Sequence, residues 1–315
     1  MKHALAFFRN PRVVACLWLL GLAVPVAFDR TWVFIVSLFA VYAIAALSQD
    51  IVLGRAGMFD MGHAVYFGIG AYITAILNTQ FNWPIFATWP LAVVAAALVG
   101  AVLAAPIVKL RGDYLLVATI GFNAIFILAL NNNIGHLTGG ADGIFGVAVP
   151  SLLGQRISSA NGQFWLDWLA FGPVLLLIRN LGRSHLGRTL YYIKHDQLAA
   201  STIGVDARAY RVIVFALGAG LAGFAGTLFA TLMAAVSPGA FVITESVTLF
   251  AIVLVGGQGS IPGVLVGTVL MFVVPQAFRG FAQYRYFVFG IAMIVVMVLR
   301  PQGIWPRRRS NEAQE

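Results

Sequence analysis

Few residues of this 315-residue chain could do chemistry, and fewer still stand at a useful spacing. His3, His63, His136, His185 and His195 show no His-x-x-x-His or Glu-x-x-His pattern, the spacing that aims two ligands at one metal from a helix face. They read as interfacial or packed histidines. Cys16 is the single cysteine, so neither a disulfide framework nor a thiolate cage is available. Only Lys2, Lys109 and Lys194 are lysines, and none completes a GxxxxGKS or GxxxxGKT phosphate loop. GQGSIPG, residues 257–263, is not the GxSxG turn of a serine hydrolase. The sequence therefore reads as a non-enzyme that binds no cofactor or metal of its own.

Polar chemistry concentrates instead in GRTLYYIKHDQLAASTIGVDARAYR, Gly187 to Arg211. Asp196 is placed to cap a short helix over 197–203, Gly204 to close it in the left-handed conformation, and Asp206 to cap the helix that follows. Such a piece is about 10 Å long and marginal by itself. It needs either lipid headgroups or a partner's groove. Leu190, Tyr191, Tyr192 and Ile193 suit lipid, whereas the small side chains of Leu198-Ala199-Ala200-Ser201 favour close approach of a protein.

The surrounding elements belong in a membrane. Hydrophobic residues make up 60% of the chain and charged residues 10%, where soluble domains carry about 25% charge. Residues 13–28, 31–49, 61–108, 114–141, 212–244, 246–278 and 286–299 contain no Asp, Glu, Lys or Arg. Several of these runs reach the ~20 residues that a helix needs to cross the hydrocarbon layer. Without the alternation of a lipid-facing barrel, helices must satisfy the backbone. The expected fold is all-α: a polytopic bundle of about ten helices, some broken or short, near 13–28, 31–49, 59–78, 85–108, 114–132, 164–181, 207–233, 240–256, 261–278 and 284–300. Residues 12–180 would hold six helices, 181–211 a connecting loop, 207–300 four more helices, and 301–315 a basic tail.

The net charge of +9 points to orientation rather than to nucleic acid, because the basic residues sit at the ends of apolar runs. With a cytoplasmic N-terminus, only Arg30, Arg156, Arg279 and Arg285 of the twenty fall outside. Both termini are thus expected in the cytoplasm. The opening MKHALAFFRNPRVVACLWLL reads as a retained first span rather than a cleaved signal.

Two segments fit poorly as simple spans: GRAGMFDMGHAVYFGIGA from Gly54, and VGGQGSIPG from Val255. Ile51-Val52-Leu53 and Gly62 recur as Ile252-Val253-Leu254 and Gly263 at a constant offset, by an internal repeat or by coincidence. Gly57, Gly62, Gly256, Gly257 and Gly259 are candidates for the wall of a substrate path, since exposed backbone groups could meet a small zwitterion; tight helix packing accounts for them equally well. Asp50, Arg55, Asp60, Asp142 and Glu245 are expected at span ends; Arg55 and Asp60, five apart, either pair close to the interior or are helix-end charges at the interface. Outside the membrane, Leu130 to Trp165 includes NNNIGHLTGGADGIFGV, with Thr138, Gly139, Gly140 and Asp142 as candidate contacts. It is either a binding loop or a solvated connection.

Most of the chain from about Ala45 resembles the permease subunits of bacterial ABC importers for branched-chain amino acids. The resemblance rests on GHAVYFGIGAY, RGDYLLVATIGF, LTGGADGIFGV, GRTL with LAASTIGVDARAYR, FALGAGLAGFAGTLFA, VSPGAF, IVLVGGQGSIPGVLVG and LRPQGIWP. At Ala124 and Ile127, where relatives often carry Glu and Arg, the chain departs from the family, which bears on the substrate. The resemblance implies an inner-membrane subunit translocating branched-chain or other apolar amino acids. It implies a second homologous permease, two ATP-binding subunits that hold ATP and Mg, and a periplasmic or extracellular solute-binding protein. In it Asp196, Leu198, Ala199, Ala200 and Gly204 form the helix that couples to the ATPases. The rival is an autonomous transporter or channel for a small zwitterionic or neutral solute such as urea.

Overall fold

The computed structural model describes residues 18, 21–22, 24–109, 112–152, 155–157, 159–202, 204–277, 287, 290–291, 294, 298 and 303–305. Most of the first and last expected spans, 13–28 and 284–300, and most of the tail lie outside these residues.

The described chain runs α1 (Arg30–Asp50), which continues into a π-helical turn Ile51–Arg55, then α2 (His63–Thr79), α3 (Ile85–Ile107), α4 (Asp113–Asn131) and α5 (Ala160–Arg183). After these come α6 (His185–His195), α7 (Gln197–Thr202), α8 (Ala207–Met233), α9 (Ile243–Gly256) and α10 (Ile261–Thr268), the last extended by a second π turn Val269–Val273. Six helical segments among the described residues are long and apolar enough to cross a membrane: Arg30–Arg55, Ile85–Ile107, Asp113–Asn131, Ala160–Arg183, Ala207–Met233 and Pro238–Gly256.

Helix α8 is the axis of the bundle, packed by α3, α2 and α1. Its glycines and alanines make this possible: the Gly70 and Gly223 backbones meet directly, Gly226 lies on the Phe67 carbonyl, and a Cβ at Gly223 would stand 2.5 Å from the Ala96 methyl. With no hydrophobic drive between helices in lipid, such close backbone contact is what holds them. An aromatic cluster fills the interior, with Tyr42 stacked on Phe272 at 3.7 Å and Phe241 edge to face with both Phe67 and Phe229.

The all-α expectation holds for the spans but not for the connections. β1 (Ile144–Phe145) pairs antiparallel with β4 (Ala235–Val236), and β2 (Ser151–Leu152) with β3 (Gln155–Arg156). Both pairs lie in turn-rich segments whose backbone groups find no helical partner and bond across instead. Helix α2 starts four residues later than position 59 because residues 59–62 are non-helical, and α5 starts four residues earlier than 164 because Ser159 caps it, accepting from Gly162 N. Helix α6 was not foreseen; Ser184 caps it and Leu190 and Ile193 bury one face.

Connections gather at the two ends of α8. Residues 50–62, 184–206, 257–260 and 303–305 meet at its start, and residues 134–148 reach β4 just past its end. Arg55, Arg179, Arg183, Arg188, Lys194, Arg208 and Arg211 all fall on elements at the starting end.

Candidate functional site

The first helix break is built from polar side chains drawn from several elements. After the π turn, Met61 N donates to Thr119 Oγ1 of α4 at 3.0 Å, Gly62 N to Asp60 Oδ1 at 2.8 Å, and Ala64 N to Ser246 Oγ of α9 at 3.0 Å. Gly62 N and Ala64 N are among the N–H groups that the start of α2 leaves without helical partners. Asp60 Oδ2 lies 3.0 Å from His63 Nδ1, His63 Nε2 lies 2.8 Å from Ser48 Oγ, and Gln49 Nε2 donates to the Asp60 carbonyl at 2.7 Å. The connectivity is that of a hydrolase triad. Ser48, Asp60 and His63 are nevertheless all 0% exposed, and the Ser48 hydroxyl donates to the Ala45 carbonyl at 2.6 Å. The array stitches the break to α1.

Asp50, Arg55 and Asp60, expected at span ends, are enclosed by the protein there rather than exposed: they are 0%, 6% and 0% exposed. Irregular backbone away from water survives only inside protein, and the charges of the break are buried with it. Arg55 lies over Gly182 of α5, where a Cβ would stand 2.7 Å from Nη1.

At the second break α9 stops at Gly256. Gly257 (φ 122°) and Gly259 (φ 74°) turn the chain through conformations that side chains disfavour. Ser260 caps α10 by accepting from Gly263 N at 3.3 Å, with Pro262 in the first turn. The carbonyls left free at the end of α9 are used by the tail: Ile304 N donates to Val255 O and Trp305 N to Gly256 O, each at 2.9 Å. This gives Ile304 and Trp305 their structural role.

The two breaks touch. Asp50 Oδ1 accepts from Gly259 N at 2.7 Å, and a Cβ on Gly54 would stand 2.5 Å from the same nitrogen. Lys194, from the last turn of α6, donates to Gly54 O at 2.7 Å and reaches Gln258 Oε1 at 3.4 Å. Of the candidate path glycines, Gly57 and Gly259 converge here, and a Cβ on Gly57 would meet Lys194 Cγ at 3.1 Å. Gly57 also lines a cavity of about 170 Å³ with Met58, Phe59, Val108, Gly112, Leu115 and Arg211. Gly62 instead packs on the Thr119 carbonyl, Gly256 on the Gly263 backbone, and Gly257 on Gly303.

Within the segment 196–206, Gly204 and Asp206 have the geometry expected of them. Asp196 is extended between α6 and α7, its carbonyl accepting from Ala200 N at 3.1 Å. Gly204 has φ 83°, and Asp206 Oδ1 accepts from Arg208 N and Ala209 N at 2.9 and 3.3 Å. Ala200 is buried against Ile193 and Ala207, so it faces the chain itself; Ser201 and Thr202 are exposed. Residue 203 and the side chains of Leu198 and Ala199 lie outside the described residues.

At the other end the connection is folded rather than simply solvated. Asn133 Oδ1 accepts from Thr138 N at 3.1 Å and Gly139 N at 3.0 Å, and Thr138 Oγ1 donates to Leu130 O at 2.9 Å. Gly140 is buried and Asp142 exposed. Gln80 Nε2 donates to Leu137 O at 3.1 Å and Ala148 N to Asn78 Oδ1 at 2.7 Å, anchoring the segment on α2.

Sequence reading missed Asp50, Lys194, Thr119 and Ser246 as parts of the breaks. Each acts on a residue at least 58 positions away, so no local spacing marks it. The buried trio Gln163, Asp167 and Thr231 was also missed, with Gln163 Nε2 donating to Asp167 Oδ1 at 3.2 Å and to Thr231 Oγ1 at 3.3 Å.

The family described as branched-chain amino acid transport system / permease component matches residues 31–297. The high-affinity branched-chain amino acid transport system permease protein LivM of Escherichia coli is 33% identical over 94% of this chain and 75% of its own length. The corresponding protein LivH of Escherichia coli is 25% identical over 86% and 93%. The probable permease protein LivM of Methanocaldococcus jannaschii is 24% identical over 86% and 92%. No solved structure matches. Apolar spans, two interrupted helix pairs and a match over most of the chain agree, and this multi-pass membrane protein belongs to the branched-chain amino acid transport permease family.

Proposed function

We propose that the chain is the membrane-spanning permease subunit of an ABC importer that carries branched-chain or other apolar amino acids across the bacterial inner membrane. ATP and Mg are bound by two separate ATPase subunits. A second permease of the LivH kind stands beside it and a soluble binding protein delivers the solute. The LivM position in that pair is supported by the 33% identity to LivM of Escherichia coli against 25% to its LivH. The end rich in Arg and Lys faces the cytoplasm, following the positive-inside bias.

The observation that carries this reading is the short capped helix α7, held by Gly204 and Asp206 at the same end as both helix breaks. Its exposed Ser201 and Thr202 offer a small protruding surface to an ATPase cleft. Ala200 belongs to the chain's own packing, so enlarging it tests folding, not docking. The test is Ser201→Trp with Thr202→Trp in the co-expressed importer. Loss of ATPase copurification with a normally inserted permease is expected; normal ATPase association and normal uptake would remove α7 from the contact. Uptake by the purified chain alone, driven by an ion gradient, would overturn the importer assignment.

A further inference from the structure

The same turn of α6 touches two things that an importer must connect. Ile193 packs with Ala200 and Ala207 and so holds α7 and the start of α8. Lys194, the next residue, points the other way: its Nζ donates to Gly54 O at 2.7 Å and lies 3.4 Å from Gln258 Oε1. Gly54 belongs to the first break and Gln258 to the second. These breaks are themselves tied by the Asp50 carboxylate on Gly259 N at 2.7 Å.

We infer that Lys194 is the strut through which movement of α7 reaches both helix breaks at once. An ammonium is well suited to this, because it has three donors and no acceptor, so one group engages a carbonyl in one break and an amide oxygen in the other. Its placement in the last turn of α6, where the helix dipole favours a cation, costs nothing locally. The aliphatic stem is used as well. Gly57 lies flat against it, and a Cβ there would come within 3.1 Å of Lys194 Cγ. A displacement of α7 is carried by the Ile193 contact into this turn, and then by Nζ into Gly54 and Gln258. Because Asp50 links the two segments, they shift together. Lys194 is thus a positioning residue: its role is to convert a movement outside the membrane into a rearrangement of the interrupted helices.

This inference rests on the importer reading, and its test separates the two. The complete importer, permeases and ATPases together, is reconstituted in liposomes with Lys194→Met, Lys194→Arg and Gln258→Met in turn, and solute uptake is measured per ATP hydrolysed. Lys194→Met keeps the stem but loses the ammonium. ATPase association is expected to persist while uptake per ATP falls about tenfold, the scale of one lost charge-assisted hydrogen bond. Lys194→Arg should recover most of it, and Gln258→Met should give a smaller loss in the same direction. Unchanged uptake per ATP in Lys194→Met overturns the strut, as does a failure of Lys194→Arg to recover it. If Lys194→Met does not accumulate, Gln258→Met decides, and an unchanged ratio there has the same force. Failure of the unsubstituted chain to associate with ATPases would instead count against the importer reading.

Discussion

Asp50 and Gly259, 209 residues apart, meet through a single 2.7 Å hydrogen bond from backbone N–H to carboxylate. That bond joins the two places where the helices of this bundle are interrupted. Asp50→Asn keeps an acceptor oxygen, whereas Asp50→Leu strands the Gly259 N–H. The leucine variant is expected to be less stable by about 1–3 kcal/mol and the asparagine variant to fall between it and the unsubstituted protein. Thermal unfolding in detergent measures this; equal melting of the two variants would show that the bond contributes nothing.

The Ser48–His63–Asp60 array makes a second prediction, about coupling. Asp60→Ala removes the acceptor for Gly62 N and the neighbour of His63 Nδ1 together. Because Asp60 and His63 share one enclosed network, Asp60→Ala and His63→Ala should be non-additive, with an interaction of about 0.5–3 kcal/mol in a double-mutant cycle. Strict additivity in unfolding measurements would mean the array is a set of independent contacts.

Glycines divide into those that hold the bundle and those that do not. Gly226 lies on the Phe67 carbonyl, so Gly226→Val must push α2 off α8. Little folded protein should accumulate in membranes. At Gly121 of α4 a Cβ meets nothing within 4 Å, and Gly121→Ala should be neutral or stabilising by up to about 1 kcal/mol. Expression and melting temperature of the pair check both statements, and similar behaviour of the two would contradict the packing assignment.

Asn133 organises the segment at the far end of α8 through its contacts with Thr138 and Gly139. Asn133→Ala should loosen residues 134–147 without disturbing the spans. The expected sign is faster proteolysis of the folded protein in this segment. Unchanged cleavage would mean that β1–β4 pairing alone holds the segment.

Much of the architecture could be read from local pattern. Charge-free runs located the described spans to within a few residues, since a bilayer imposes length and hydropathy on each helix separately. The cap at Asp206 and the left-handed Gly204 depend on neighbours two or three positions away and so are visible in one dimension. The buried charges ran the other way. Asp50, Arg55 and Asp60 next to apolar runs resemble ordinary span ends, and only the folding of 56–62 into the bundle turns them inward.

The amino-acid order alone determined that this chain is a helical membrane protein, where its helices are interrupted, and that a small capped helix precedes α8. These follow from solvent preference and from hydrogen bonds that close within a turn. Only the tertiary structure decided that the two interruptions lie against each other, that Lys194 bridges them, and that Ala200 faces inward. Those relationships join residues 64 to 209 positions apart or depend on which side of a two-turn helix is covered. No local periodicity encodes them, because they exist only once α8 has drawn the other helices around it.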